Sequence, residues 1–190
     1  MKVFATAALI VSLASAAPAL GQAKIGAAAP DFTLPAASDG KTLSLKDLTA
    51  KNKAVLVMFI ATKCPVSNAY NERMVALARD YTARGVAVVG INSNKSEPAA
   101  EVVEHAKKHG FTFPVLKDEG NRIADAYGAA KTPEVYVIDP KGLLLYHGRI
   151  DESQEDPKSP DLRNALDAVL AGKPVPVAET KAFGCTIKRV

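Results

Sequence analysis

One cysteine stands where a buried strand is expected to hand over to a helix. The apolar run 54–61 is short and rich in β-branched residues, which predicts a buried strand. Cys64 and Pro65 follow, and proline suits the first turn of a helix, where its missing N–H is not needed. Free N–H groups at a helix N-terminus favour an anion, and a thiolate is such an anion. The pattern predicts a reactive thiolate, the nucleophile of thiol chemistry, at Cys64.

Three other side chains enter the same hypothesis. Lys63 is a cation adjacent to Cys64, and Ser67 follows three residues later, where its hydroxyl is expected either to donate to the thiolate or to cap the helix. Cys185 is the second of two cysteines. It is open as a resolving cysteine, as one half of a static structural disulfide, or as a free or intermolecular thiol. The plainer alternative for Cys64 is an inert buried cysteine.

The surrounding elements must position this cysteine. The helix after Cys64 is expected to run to Gly85, and a second buried strand at 86–92 completes a βαβ unit with a parallel strand pair. The other expected elements are strands at 33–34, 42–45 and 114–118, a helical turn at 47–48, helices at 98–109 (capped by Ser96) and 121–127, a hairpin at 134–150 and a last helix at 160–171. An α/β domain with a central mixed sheet flanked by helices is predicted.

The chain ends suggest a processed, exported protein. Residues 1–23 are typical of a signal peptide, with Lys2 before an apolar stretch and small-residue cleavage sites near 16 and 23. An uncleaved membrane anchor is the alternative. The expected domain covers 24–172 of the 190 residues, and 173–190 is a proline-interrupted tail that carries Cys185. A periplasmic or secreted location follows from this interpretation, and export permits a disulfide.

Two function classes find no support in the sequence. The formal net charge is only +4 and the basic residues are dispersed without an aromatic-basic patch, so nucleic-acid binding is not expected. His105 and His109 share one face of a predicted helix, but no cysteine is near them in sequence, and they are interpreted as solvated residues near a helix C-terminus. No metal and no other cofactor is predicted.

Several segments together resemble a known superfamily. These are the N-terminal APDFTL, the strand–KCPVS–helix segment, the run 131–134 (KTPE) that leads into EVYVIDPKG, and HGRID at 147–151. Over roughly 25–172 the chain looks like the thioredoxin-like redoxin superfamily, which includes AhpC/TSA-type peroxiredoxins and periplasmic thiol–disulfide oxidoreductases, and it is most similar to a peroxiredoxin-like branch. The resemblance implies a thioredoxin fold with an N-terminal strand extension. It also implies that Thr132 and Pro133 correspond to the threonine–cis-proline pair that shapes the substrate groove.

The resemblance has two departures. Thioredoxins carry the second cysteine of CxxC where Ser67 stands, so resolution of a mixed disulfide would fall to Cys185 or to an external thiol. Peroxiredoxins carry a threonine three residues before their cysteine, where this chain has Ala61, and an arginine that is missing near Pro133. Arg73 or Arg149 would substitute only if the fold brings one of them close. Peroxide reduction is therefore less favoured.

The sequence predicts an exported thiol–disulfide oxidoreductase. Cys64 and Cys185 are the expected catalytic residues, and the expected substrate-binding residues are Thr132, Pro133, Lys63 and Ser67. The implied partners are a thiol or disulfide protein or a small peroxide, together with an external thiol reductant. Two alternatives stay open: a thiol peroxidase of the peroxiredoxin type, and a non-enzymatic binding module of the same fold with a structural disulfide.

Overall fold

The computed structural model describes residues 22–190. The predicted signal peptide, apart from its last two residues, lies outside this range. None of the helices within the described range has the length and apolar character that a membrane crossing requires.

The elements follow one another along the chain with strands and helices alternating in the middle. The strands are β1 (Thr33–Pro35), β2 (Thr42–Ser44), β3 (Ala54–Phe59), β4 (Val86–Asn92), β5 (Val115–Lys117), β6 (Lys131–Thr132), β7 (Glu134–Ile138), β8 (Leu144–Gly148) and β9 (Cys185–Thr186). The helices are α1 (Leu45–Lys51), α2 (Pro65–Ala69), α3 (Asn71–Thr82), α4 (Ala99–Lys108), α5 (Arg122–Tyr127) and α6 (Asp161–Leu170), with a 3₁₀ turn at Glu119–Asn121.

A five-stranded mixed sheet forms the centre, in the order β5-β4-β3-β7-β8. β3 pairs in parallel with β4 and antiparallel with β7, and β8 closes an antiparallel hairpin. All six residues of β3 are buried, as a continuous apolar run in a sheet covered on both faces requires. The predicted βαβ unit, the hairpin and the thioredoxin fold are confirmed.

Two apolar clusters cover the two faces of the sheet. Leu56 and Met58 of β3 pack on the side of α3, α4 and α6, whereas Val57 and Phe59 pack on the side of α1, α5 and the β1–β2 pair. The alternation follows from the period of two along a strand. The carboxyl end of β3 is therefore held from both sides, and it carries the loop that leads to Cys64.

The long helix predicted after Cys64 is wrong in one respect, because the structure divides it into α2 and α3 at Tyr70. The Tyr70 N–H bonds back to the Ser67 carbonyl, three residues earlier, at 3.1 Å. Its buried hydroxyl donates to Asp151 at 2.8 Å. This second contact joins Tyr70 to a residue 81 positions away, and helical periodicity carries no information about it.

The predicted cap of α4 is also wrong. The first helical residue is Ala99, the cap position is Pro98, and no side chain makes a capping hydrogen bond there. The backbone carbonyl of Ser96 instead accepts a hydrogen bond from Lys63.

The C-terminal residues after α6 lie against the domain. The N–H of Thr180 donates to the His147 carbonyl at 3.0 Å, and β9 pairs antiparallel with β6. Beyond β9, the Ile187 N–H donates to the Ala130 carbonyl at 3.0 Å, and the Ile187 side chain is only 3% exposed. The short strands β6 and β9 were absent from the sequence-based prediction, because two residues carry no periodicity.

Candidate active site

Cys64 occupies the N-cap position of α2. Its backbone is extended (φ −90°, ψ 115°), and its Sγ accepts a hydrogen bond from the Ser67 N–H at 3.2 Å. The residue is 3% exposed. The helix α2 has only five residues, so its dipole is small. The hydrogen bond from the Ser67 N–H is therefore the larger source of stabilisation for a sulfur anion at Cys64.

Cys64 is joined to Cys185 by a disulfide. The two Cα atoms are 5.9 Å apart, although the residues are 121 positions apart in sequence. Cys185 belongs to β9 and is half-buried. Of the three possibilities left open for Cys185, the structure holds an intramolecular pair, which is compatible with a resolving cysteine and with a structural one.

Thr132 and Pro133 lie against this disulfide. The peptide bond between them is cis, as the superfamily resemblance implied. The Thr132 carbonyl oxygen is 3.5 Å from the Cys64 Sγ. A disulfide sulfur carries no proton, so this contact becomes a hydrogen bond only when Cys64 is a reduced thiol, which then donates to the carbonyl. Within residues 22–190 the buried Thr132 hydroxyl has no hydrogen-bond partner.

The Ser67 hydroxyl makes a contact that differs from both of its expected contacts. Its buried hydroxyl accepts a hydrogen bond from the Ala61 N–H at 3.2 Å. The capping acceptor of α2 is Cys64 itself, and the Ser67 group that faces the sulfur is the backbone N–H. Ser67 thereby ties the first turn of α2 to the end of the β3 segment.

The Lys63 ammonium is bound by two groups at or just before the start of α4. It forms an ion pair with Glu101 at 2.8 Å and donates to the Ser96 carbonyl at 2.8 Å. Hydrogen bonds from Lys63 and from the Thr62 hydroxyl lower the pKa of Glu101. The cation predicted to assist Cys64 is thus neutralised by a carboxylate in this structure.

Glu97 is a residue of this site that sequence reasoning missed. It is 2% exposed, and its carboxylate accepts hydrogen bonds from the backbone N–H groups of Thr62 at 2.9 Å and Lys63 at 3.0 Å, and from the Asn92 amide. The two backbone donors belong to the residues just before Cys64. In sequence, Glu97 is one acidic residue in a polar turn, and nothing there signals burial.

A small cavity of about 190 Å³ opens beside the disulfide. Its lining includes both cysteines, Glu97, Asn94 and Lys188. A cavity of this size admits a thiol-sized group rather than a large cofactor.

A buried cation lies in the polar cluster that surrounds Glu97. Lys117 donates to the Asn92 side-chain oxygen at 3.0 Å and to the Asn94 carbonyl at 2.8 Å. Burial lowers the pKa of Lys117. The Asn94 side chain in turn accepts the Lys188 N–H at 2.8 Å, so this cluster also holds the C-terminal segment.

Glu134 fixes the turn that carries Pro133. The carboxylate accepts the N–H groups of Ala130 and Lys131, both at 2.8 Å, and pairs with His147 at 2.7 Å. Burial by itself raises the pKa of the Glu134 carboxyl, but the hydrogen bonds from His147, Lys131 and Ala130 outweigh it and lower the pKa below its ordinary value.

The remaining candidate side chains are engaged with other groups of the protein. Arg73 is bound to Asp151 and Arg149 to Asp161, at 2.9 Å and 2.6 Å. The rings of His105 and His109 are tilted by 41° with their centroids 4.4 Å apart, and burial lowers the pKa of His105. Across the described range, no group of three or more His, Cys, Asp or Glu side chains is arranged to hold a metal ion.

The fold and this site define a thioredoxin-fold domain whose helix-capping cysteine is bonded to a cysteine of its own C-terminal segment. Residues 25–147 match the model of the AhpC/TSA family, and the chain belongs to that family. The thiol-disulfide oxidoreductase ResA of Bacillus subtilis (strain 168) is 32% identical over 120 residues, which cover 63% of this chain and 64% of that protein.

Two further comparisons extend the picture. The chloroplastic peroxiredoxin Q of Triticum aestivum is 31% identical over 137 residues, which cover 66% of this chain and 59% of that protein. The chain thus matches less than two thirds of the length of either curated relative. A crystal structure of a hypothetical protein from Sinorhizobium meliloti 1021 is 37% identical, covers 90% of this chain and 97% of that one, and has a TM-score of 0.81.

Proposed function

We propose that this protein is a thiol–disulfide oxidoreductase in which Cys64 is the nucleophile and Cys185 the resolving cysteine. The observation that carries the proposal is the disulfide between the N-cap cysteine of α2 and a cysteine of the C-terminal segment. The names of the ResA relatives support the same chemistry.

The proposed reaction moves two electrons in two exchanges. The Cys64 thiolate attacks one sulfur of a substrate disulfide, the substrate S–S bond breaks, and the first substrate thiolate leaves. The Cys185 thiolate then attacks the Cys64 sulfur of the mixed disulfide and expels the second substrate thiolate. The substrate is reduced to a dithiol, and the protein is oxidised to the Cys64–Cys185 disulfide. An external dithiol, or two thiols, reduces that disulfide and completes the cycle.

The contacts of Cys64 support its role as attacking and leaving group. The Ser67 N–H donates to the sulfur and stabilises the thiolate more than the thiol. The backbone N–H groups of Thr62 and Lys63 are bound to Glu97, so the chain entering Cys64 is held in one position. A preorganised nucleophile loses little freedom on reaching the transition state.

Peroxide reduction is the second candidate, and the peroxiredoxin Q relative is the observation that favours it. A peroxidase needs donors that stabilise the leaving oxygen of the peroxide. Arg73 and Arg149 are engaged with Asp151 and Asp161. The exchange reaction needs no such donor and is therefore the better supported of the two.

We also propose that the protein acts in the periplasm or outside the cell after cleavage of its signal peptide. The N-terminal sequence pattern supports this location. The disulfide supports it as well, because disulfides persist in oxidising compartments and are rare in the cytosol.

Thiol trapping across a series of redox buffers tests the function. Intact mass reports how many cysteines are blocked at each potential in the mature protein. A disulfide that opens at potentials above about −300 mV marks a working pair. One that resists reduction below that value indicates a structural link and the non-enzymatic alternative. Loss of insulin disulfide reduction in Cys64→Ser is required, and full activity of this variant would overturn the proposal.

A further inference from the structure

The C-terminal segment is bound in the way that a partner strand would be bound. β9 pairs antiparallel with β6, with Thr132 opposite Cys185 and Lys131 opposite Thr186. Addition of an extended segment to an exposed strand edge is a common mode of peptide recognition. Here the chain's own tail fills that edge, and its cysteine is the residue joined to Cys64.

We propose that residues 183–188 are a strap that occupies the strand-binding site beside Cys64, and that a protein substrate enters this site only when the strap leaves. This inference rests on the proposed function. The strap and the substrate compete for the backbone of Thr132, and return of the strap brings Cys185 back to resolve the mixed disulfide. The same occupancy identifies the substrate class as a protein that presents its reactive cysteine in an extended segment able to pair with β6.

The strap itself needs glycine at position 184 because of the space around that residue. A Cβ atom at this position would lie 2.0 Å from the Thr132 carbonyl oxygen and 3.4 Å from the Val66 side chain. The Gly184 φ of +141° is also one that other residues rarely adopt. A side chain at position 184 therefore prevents the strap from lying against Thr132 in this conformation.

Anchors on both sides of Cys185 show how the strap is held and why it can exchange. Phe183 packs edge-on against Tyr70 with ring centroids 6.2 Å apart, and Ile187 is buried in the core cluster of α1 and α5. The backbone of Lys188 forms two hydrogen bonds. Its N–H donates to the Asn94 side chain, and the Lys188 carbonyl accepts the Lys95 N–H. β9 and β6 form a separate two-stranded sheet, so the strap can open locally without breaking a strand pair of the central sheet.

The first test measures access to Cys64 without turnover. In a Cys185→Ser background Cys64 is the sole thiol, and its alkylation by iodoacetamide is followed by intact mass. Adding Gly184→Ala should accelerate alkylation about tenfold or more, because the strap can no longer lie against Thr132. Gly172→Ala is the matched control, since Gly172 also has a positive φ (+64°) but nothing within 4 Å of its added Cβ. Ile187→Ala, which removes an anchor without backbone strain, should act like Gly184→Ala.

The second test returns the strap in trans. A peptide of residues 181–190 with serine in place of Cys185 should slow alkylation of the Gly184→Ala, Cys185→Ser protein, and the same peptide with alanine in place of Gly184 should not. Equal alkylation rates in the Cys185→Ser protein and both strap variants, in a folded protein by circular dichroism, would overturn the proposal. Failure of the proposed function gives a different result: insulin is not reduced by the wild-type protein while the alkylation differences remain.

Discussion

The buried carboxylate of Glu97 holds the backbone N–H of Lys63 at 3.0 Å, one residue before the helix-capping cysteine. The same carboxylate holds the N–H of Thr62 at 2.9 Å. The Lys63 residue therefore contributes to the site through its backbone, while its ammonium is bound to Glu101. In this structure Glu97 positions Cys64 through the backbone, whereas the Lys63 ammonium, which the sequence suggested would assist the thiolate, is paired with Glu101.

Replacement of Glu97 should misplace the cysteine. Glu97→Ala leaves buried donors without an acceptor, so we expect a loss of about 3 kcal/mol in the free energy of unfolding. The rate of disulfide exchange should fall by about tenfold to a hundredfold, because a small displacement of a nucleophile is costly. Urea unfolding and insulin reduction measure the two effects. Glu72→Gln on an exposed part of α3 is the control. Wild-type exchange by a folded Glu97→Ala protein would contradict the positioning role.

Removal of the Lys63 charge should have a small effect. Because the ammonium is paired with Glu101 and largely exposed, Lys63→Met should change the exchange rate by less than about threefold. The pH dependence of Cys64 alkylation checks the reason, since the thiolate fraction should stay the same in this variant. A rise of the Cys64 pKa in Lys63→Met would show that the ammonium turns to the sulfur after reduction.

The disulfide should contribute strongly to stability. It closes a loop of 121 residues, and a link over such a length stabilises a protein by about 2–5 kcal/mol. We expect the double variant Cys64→Ser, Cys185→Ser to unfold at lower urea concentration than the oxidised wild type by this amount. The reduced wild type should match the double variant. Equal midpoints for oxidised and reduced wild type would mean that the docked segment alone supplies the link.

Glu134 should make stability depend on acid pH. Its pKa in the folded protein is lowered from 4.5, so its ionised form contributes stability that is fully present above pH 4.5. That contribution is lost as the pH falls through the lowered folded value. Glu134→Gln should cost about 1–2 kcal/mol at pH 7, with the difference from wild type shrinking below about pH 4.

The measurement for Glu134 is urea unfolding at a series of pH values. The Glu134 carboxylate is bonded to His147 and to the Tyr136 hydroxyl, and His147 also contacts Glu179. The variant is therefore compared with His147→Gln, so that the loss of the His147 contact is separated from the titration of Glu134. A difference between wild type and Glu134→Gln that stays constant from pH 7 to about pH 3 would contradict the assignment.

Much of the fold was accessible from local patterns. The strand at Ala54–Phe59, the parallel partner at Val86–Asn92 and the hairpin strands were predicted from apolar runs and turn residues. These elements are long enough for periodicity to identify them. The break at Tyr70 was not predicted, because the apolar spacing continues through it, and the hydrogen bond from Tyr70 to Asp151 joins residues that are distant in sequence.

The sequence by itself determined the main strands of the central sheet and the place of Cys64 at the start of a helix, because each depends on neighbouring residues. The cis peptide bond before Pro133 was implied by the resemblance to the superfamily. Only the tertiary structure decided that Cys185 meets Cys64, that Glu97 is buried beneath the loop, and that the C-terminal segment pairs with β6. The physical reason is the same in all three cases. Each contact joins segments whose separation along the chain is bridged only when the sheet and its helices have packed.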